Sequence, residues 1–353
     1  MRKLCMMSLI AVILSVTALN VVVEAEELVV GYYRSWTREA YPPEKIDFDI
    51  ITHVIHSFAW PEADGSIASM DNIPDPALIE SAHKAGRKVS IAFGGWGQCE
   101  GFAPMAADPE IRAKFVKNTM DYCLENGYDG IDLDWEFPAN PKERDDLTIL
   151  IREFREAADK LGKPFLITMA ISAGSWSGDH NDYPAIVDDI DWFNNMTYDF
   201  YGTWSSNAGH NAPLYASQES VNSSIRNLMR KYKIPAEKIM MGLPFYGRRF
   251  RATSLYGPST GGEGVTYSKI VEIMNEGGWK YNWDDVSMVP YLTDEGGSEF
   301  LFYDNPESIA IKCAYAKEMK LPGVMIWAIG GDMIDGRQPL LDAIGENVDV
   351  LGR

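Results

Sequence analysis

The sequence predicts an α/β fold, a TIM (β/α)8 barrel with a small α+β insertion between strands 7 and 8. Eight short apolar runs, rich in Val, Ile and aromatic residues, recur along the 353-residue chain. Amphipathic helical stretches separate most of these runs, which indicates parallel strands buried on both faces. Eight such units match a barrel of this type, which typically needs about 250 residues.

The predicted strands are the apolar runs themselves, and they cover residues 28–33, 51–58, 88–93, 130–135, 164–172, 191–198, 239–245 and 323–329. A doubly wound open sheet is the alternative for the same alternation of strands and helices. It has less support, because no Gly-rich dinucleotide-binding motif follows the first run.

The intervening helices have recognisable ends. The stretch 108–127 begins at a capping Asp and stops at Gly, and 143–162 also stops at Gly. A third helix is predicted over 217–232. Between Gly247 and Tyr303 the regular alternation is lost, and Gly, Trp and Tyr become frequent. This change predicts an inserted subdomain, placed at 248–302.

The N-terminus predicts a signal peptide over residues 1–25. Two basic residues precede an apolar run over 9–23, and Val23 and Ala25 fit the small-residue positions of a cleavage site. An uncleaved membrane anchor is the alternative. We expect a mature domain over 26–353, secreted to the extracellular or periplasmic space as a monomer. No later segment is long and apolar enough to span a membrane.

Charge and cysteine content restrict the possible partners. The formal net charge of −19 argues against binding to nucleic acid or to an anionic membrane surface. Beyond the predicted signal peptide, Cys99, Cys123 and Cys313 have the spacing of neither a zinc site nor a disulfide framework. The five histidines are scattered and form no metal-ligand pattern. We therefore expect no cofactor.

The chemistry is predicted from the stretch DGIDLDWEFP at 129–138. Because side chains alternate along a strand, Asp132, Asp134 and Glu136 share one face, and the apolar residues take the other. The acids then point into the barrel, with Glu136 at the C-terminal mouth, where these barrels place their chemistry. Neighbouring charge favours a proton on Glu136, the state that a general acid requires. A calcium or magnesium site or a solvated edge strand is the alternative.

These residues resemble the signature of glycoside hydrolase family 18, the chitinase family. Its pattern D-x-x-D-x-D-x-E is met by Asp129, Asp132, Asp134 and Glu136. The resemblance covers the whole mature chain and includes the segments FGGW (93–96), MTYDFYGTW (196–204), GLPFYGR (242–248) and GVMIWAI (323–329). It implies a secreted hydrolase that cleaves β-1,4-linked N-acetylglucosamine polymers such as chitin and chitooligosaccharides.

The resemblance also implies residue roles. Glu136 would protonate the glycosidic oxygen, and the acetamide carbonyl of the substrate would be the nucleophile, so that the anomeric configuration is retained. Asp134 would stabilise the developing positive charge and share a proton with Asp132. Tyr198 would hydrogen-bond the acetamide, and the distorted sugar would stack on Trp327. The groove would be lined by Tyr246, Arg248, Met196, Asp199, Trp96, Trp204, Tyr32 and Phe58.

Two positions depart from the family pattern. Ala92 stands where some members carry a Ser that bonds the inner Asp, and Phe137 stands where Tyr is common. A lectin on the same barrel is an alternative function, although such lectins usually lack the acid. An endo-N-acetylglucosaminidase acting on peptidoglycan or N-glycans is another. The expected partner is chitin or another polysaccharide that contains N-acetylglucosamine.

Overall fold

A computed structural model describes residues 27–174 and 180–350, and within them eight parallel strands close into a barrel. Strand β1 pairs with both the second and the last barrel strand, which closes the sheet. The barrel strands are β1 (Leu28–Arg34), β2 (His53–Pro61), β4 (Lys88–Gly94), β5 (Gly130–Asp134), β6 (Leu166–Ser172), β7 (Trp192–Met196), β8 (Ile239–Pro244) and β14 (Gly323–Trp327). A short strand, β3 (Ile67–Ser69), runs antiparallel to β2. The predicted TIM barrel is confirmed, since each apolar run overlaps one barrel strand.

The helices lie outside the barrel, and all except α7, which packs on a second sheet, flank the barrel strands. They are α1 (Pro76–Lys84), α2 (Phe102–Ala107), α3 (Pro109–Asn126), α4 (Pro141–Asp159), α5 (Tyr183–Ile186), α6 (Val221–Arg230), α7 (Tyr267–Glu276), α8 (Pro306–Glu318) and α9 (Pro339–Asn347). The carboxylate of Asp108 caps α3, and Gly127 ends this helix with a φ of 82°. The helix predicted over 143–162 begins earlier, because Asn140 caps it, and ends at Asp159. The helix predicted over 217–232 is shorter, because Ser220 caps it.

Between β8 and α8 the chain forms a second, antiparallel sheet, which is accompanied by helix α7. In the order β10-β9-β13-β12-β11, its strands are β10 (Ser259–Thr266), β9 (Tyr246–Ala252), β13 (Glu299–Phe302), β12 (Val289–Asp294) and β11 (Trp279–Asp284). Phe250, Phe300 and Phe302 form a small core of this sheet. Because β9 begins directly after β8, its first residues lie at the mouth of the barrel.

The hydrophobic core has two layers. A large cluster fills the space between the strands and the surrounding helices, and a smaller cluster that includes Val30, Ile55, Met240 and Met325 fills the barrel itself. No helix in the described ranges is long and apolar enough to cross a membrane. The predicted signal peptide at 1–25 lies outside the described residues.

Candidate active site

Strand β5 carries the acidic residues into the barrel. Asp132 and Asp134 are buried in the interior, whereas Trp135 faces the helices and stacks on Phe102 with ring centroids 5.1 Å apart. The strand ends at Asp134, so Glu136 lies two residues further on, at the C-terminal mouth. The alternation expected of a strand therefore separates the acids from the apolar residues.

Asp132 lies deepest and is surrounded by hydrogen-bond donors. Its Oδ2 accepts from the hydroxyl of Tyr32 at 2.6 Å. Its Oδ1 accepts from the hydroxyl of Thr168 at 2.6 Å and the amide of Asn194 at 2.9 Å. We expected Asp132 to share a proton with Asp134, but it has no hydrogen bond to that residue among the described contacts. Burial raises the pKa of Asp132, and the three donors partly oppose this shift.

Asp134 and Glu136 cannot both be ionised easily. Burial raises the pKa of Asp134 well above its usual value, and the charges of Glu136 and Asp132 raise it further. The pKa of Glu136 rises to about 7, first because of burial and then because of the charge on Asp199. A hydrogen bond from the Trp96 backbone lowers it slightly. Glu136 can therefore hold a proton near neutral pH, as a general acid must.

Asp199 is held by two residues of β9. The Tyr246 hydroxyl donates to Asp199 Oδ1 at 2.6 Å, and two nitrogens of Arg248 donate to the same oxygen at 3.0 and 2.5 Å. Asp199 has a left-handed φ of 60°, and its backbone N–H donates to Oδ1 of Asn211 at 3.1 Å. These contacts keep a negative charge close to Glu136.

Tyr198 precedes Asp199 and is buried at the mouth. Its ring lies edge-on to Tyr246, with centroids 6.1 Å apart. Among the described residues, the only hydrogen-bond partner of its hydroxyl is the sulfur of Met325, at 3.9 Å. Sulfur is a weak acceptor, so the hydroxyl remains able to donate to a bound molecule. Burial raises the pKa of Tyr198 well above its usual value, which keeps this proton in place.

A row of aromatic rings forms the floor beside the acids. Trp327, at the end of β14, stacks on Phe58 with centroids 5.6 Å apart and meets Tyr32 edge-on at the same distance. Tyr32 and Phe58, which we predicted to line the groove, are only 2% and 7% exposed. They instead pack against Trp327 and support it from the side and from below. Phe58 in turn stacks on Trp36, which is 48% exposed and follows β1.

Two further tryptophans are exposed at the mouth. Trp96 follows β4 and is 77% exposed, and Trp204 is 60% exposed beneath the guanidinium of Arg248, 5.0 Å from its carbon. Met196 ends β7 and packs partly buried against the barrel interior. A cavity of about 270 Å³ lies beside this floor, and its lining includes Arg34, Asp199, Tyr246, Arg248, Thr266 and Trp327. The structure thus gathers the predicted site residues in the barrel interior and at its C-terminal mouth, with Asp132 deepest and with Tyr32 and Phe58 nearly buried.

The sequence analysis missed several residues that support the site. Thr168 and Asn194 bond Asp132, Asn211 holds Asp199, and Trp36 extends the aromatic row. Thr168 and Asn194 could have been predicted as candidates, because each is a polar residue at an inward-facing position of a buried strand. No group of three or more His, Cys, Asp or Glu side chains in the described ranges is arranged to hold a metal ion.

A TIM barrel with buried carboxylates beside an aromatic floor has the architecture of a glycosidase. The chain matches the model of glycosyl hydrolases family 18 over residues 28–332, and it belongs to this family. The predicted family is therefore confirmed.

Relatives within the family are chitinases by name. The chain is 31% identical to the probable endochitinase of Caenorhabditis elegans, over 85% of this chain and 55% of that protein. It is also 31% identical to chitinase A1 of Niallia circulans, over 69% of this chain and 40% of that protein. The chain thus spans about half the length of these curated relatives. The Group IV chitinase of Ostrinia furnacalis, solved in complex with allosamidin, is 28% identical with a TM-score of 0.85, covering 91% of this chain and 98% of that one.

Proposed function

We propose that the chain is a secreted chitinase that hydrolyses β-1,4-linked N-acetylglucosamine polymers with retention of configuration. The observation that carries the proposal is the position and pKa of Glu136. This carboxyl group lies at the barrel mouth close to Tyr198 and Asp199 and has a pKa of about 7. Family membership and the names of the relatives support the substrate class.

Glu136 acts as the general acid. Burial and the charge of Asp199 favour its protonated form, so it can donate a proton to the glycosidic oxygen as the bond breaks. In the second step the same residue, now ionised, accepts a proton from the attacking water. A pKa close to the working pH serves both steps, because the group must lose and regain its proton in each cycle.

The acetamide of the substrate acts as the nucleophile, and the protein positions it. The Tyr198 hydroxyl can donate to the acetamide carbonyl, because Met325 sulfur is its only other partner. Asp134, whose Oδ1 has no partner among the described residues, can accept the acetamide N–H. This contact orients the carbonyl toward the anomeric carbon and stabilises the positive charge that develops on the ring.

The sugar ring lies on Trp327. An aromatic face buries the apolar side of a pyranose, while the hydroxyls bond polar neighbours. Trp327 is held from below by Phe58 and from the side by Tyr32, so its orientation is fixed. The exposed tryptophans, Trp36, Trp96 and Trp204, extend the binding surface beyond this position. We propose that the chain acts as a monomer with 248–302 as one wall of the groove.

Turnover of chitin tetramer by the purified chain tests the proposal. We expect cleavage by the wild type and a loss of at least about 100-fold in the Glu136→Gln variant, which keeps the shape but cannot donate the proton. Glu125→Gln, on the exposed face of α3, is the matched control and should retain activity. A protein that binds the tetramer without cleaving it would be a lectin. Cleavage of peptidoglycan or N-glycans in preference to chitin would identify the chain as an endo-N-acetylglucosaminidase acting on those substrates.

A further inference from the structure

The thiol of Cys99 contacts the backbone on both sides of Trp135. Cys99 follows β4, in the turn that leads to α2. Its sulfur accepts from the backbone N–H of Glu136 at 3.2 Å and lies 3.3 Å from the carbonyl oxygen of Asp134. It also lies 3.3 Å from the carbonyl oxygen of Gly95. The S–H group can donate to either carbonyl while the sulfur accepts from Glu136.

These contacts lie where the sheet ends. Gly94 and Asp134 are the last paired residues of β4 and β5, and the Gly95 N–H donates to the Asp134 carbonyl at 2.8 Å. Glu136 lies beyond this pair, so its backbone N–H has no strand partner and bonds the thiol of Cys99 instead. The same turn also reaches the side chain of Glu136, through the hydrogen bond from the Trp96 backbone.

We infer that Cys99 is a positioning residue that fixes the Glu136 carboxyl group through its backbone. This inference rests on the proposed role of Glu136 as the general acid. A neutral thiol is the required form, because it both donates and accepts, whereas a thiolate would add a negative charge to a site that already holds two carboxyl groups, Asp134 and Glu136. Burial raises the pKa of Cys99 to about 12, which favours the neutral form.

Cys99→Ala tests this role. The variant removes all three contacts, so the Glu136 carboxyl becomes less tightly held and more hydrated. We expect kcat to fall by about 10- to 100-fold, because small misplacements of a catalytic group have effects of this size. The KM for chitin tetramer should change little. The basic limb of the kcat/KM profile should move to lower pH, because hydration lowers the pKa of Glu136.

Two further variants separate positioning from packing. Cys99→Ser keeps a donor and an acceptor, so it should recover most of the lost kcat. Cys123→Ala removes a buried thiol of the hydrophobic core. This control should lower the melting temperature without moving the pH profile. If Cys99→Ala does not fold, Cys99→Val, which is close to Cys in size but cannot form the hydrogen bonds, replaces it in the comparison with Cys99→Ser.

The inference is overturned if Cys99→Ala keeps the wild-type kcat and pH profile, or if Cys99→Ser loses as much activity as Cys99→Ala. Glu136→Gln is measured in the same assays. Activity that survives in Glu136→Gln would reject the proposed function itself. Inactive Glu136→Gln beside fully active Cys99→Ala would reject only the positioning role of Cys99.

Discussion

The hydroxyl of Thr168 lies 2.6 Å from Oδ1 of Asp132 and donates to it across two neighbouring strands. Asp132 lies opposite Ala92 on β4 and opposite Thr168 on β6. Ala92 cannot supply the hydroxyl that some family members place on β4. Thr168 supplies a hydroxyl from the other side, so the inner carboxylate keeps its donor.

Thr168→Val should therefore weaken the site while keeping its shape. The substitution removes one of the donors to Asp132 and leaves a buried carboxylate less well bonded, which costs about 1–3 kcal/mol of folding stability. We expect the pKa of Asp132 to rise and kcat to fall by about tenfold, with a smaller effect on KM. Thr168→Ser keeps the hydroxyl and is the control. Equal kcat values for the Val and Ser variants in a chitin tetramer assay would contradict this role.

Activity should decline above neutral pH. The active form of Glu136 is protonated and its pKa is about 7, so at pH 8 only about a tenth of the enzyme retains the proton. We expect kcat/KM to fall about tenfold per pH unit on this limb. The measurement is kcat/KM for a chitooligosaccharide between pH 5 and pH 9. A flat profile up to pH 9 would show that Glu136 is not the titrating acid.

The stability of the protein should also depend on the protonation of Glu136. The pKa of Glu136 is raised from 4.5 to about 7 in the folded state, so the folded protein holds this proton more tightly than the unfolded chain does. Its contribution to stability is fully present below pH 4.5 and is lost as pH rises through 7. Gln does not titrate, and a pKa shift of this size corresponds to about 3 kcal/mol, so Glu136→Gln should gain about 5 °C in melting temperature relative to wild type between pH 4 and pH 8.

The control for this comparison is Glu125→Gln, which changes an exposed carboxyl group of α3. Its melting temperature should differ from that of the wild type by the same amount at every pH. Thermal unfolding followed by circular dichroism measures both differences. A Glu136→Gln difference that shrinks as pH rises would contradict the raised pKa.

Removal of divalent metal should leave activity unchanged. The carboxylates of Asp132 are bonded to hydroxyl and amide donors, and Asp199 is bonded to Tyr246 and Arg248. These carboxylates already accept hydrogen bonds from protein donors, so they are poorly placed to ligate a metal ion. Turnover of chitin tetramer after EDTA treatment and dialysis should equal that of untreated enzyme. Activity lost on chelation and restored by calcium or magnesium would favour the metal-site alternative.

The barrel could be predicted from sequence because apolar runs and capped helices are local patterns. The orientation of the acids in DGIDLDWEFP could likewise be predicted, because side chains alternate along a strand. The partners of those acids could not be predicted in this way. Thr168 and Asn194 reach Asp132 from β6 and β7, and only the register between strands brings them together. The hydrogen bond of Tyr32 to Asp132 spans 100 residues of sequence and could not be predicted either. The sequence therefore placed Tyr32 in the groove instead of beside Asp132.

The identity of the nucleophile is the central claim, because it decides the substrate class. If the acetamide attacks, β-1,4 oligomers that lack the N-acetyl group cannot be cleaved, however well they fit the groove. Cellotetraose differs from chitin tetramer only in that group. Asp134 would then orient the acetamide rather than attack the sugar itself.

The most direct test is an NMR time course that follows the anomeric proton of the new reducing end before mutarotation. With chitin tetramer, two displacements at one carbon should give the β anomer first, and cellotetraose should remain intact under the same conditions. A product that begins as the α anomer, or rapid cleavage of cellotetraose, would contradict substrate assistance and leave Asp134 and Glu136 acting as an ordinary carboxylate pair.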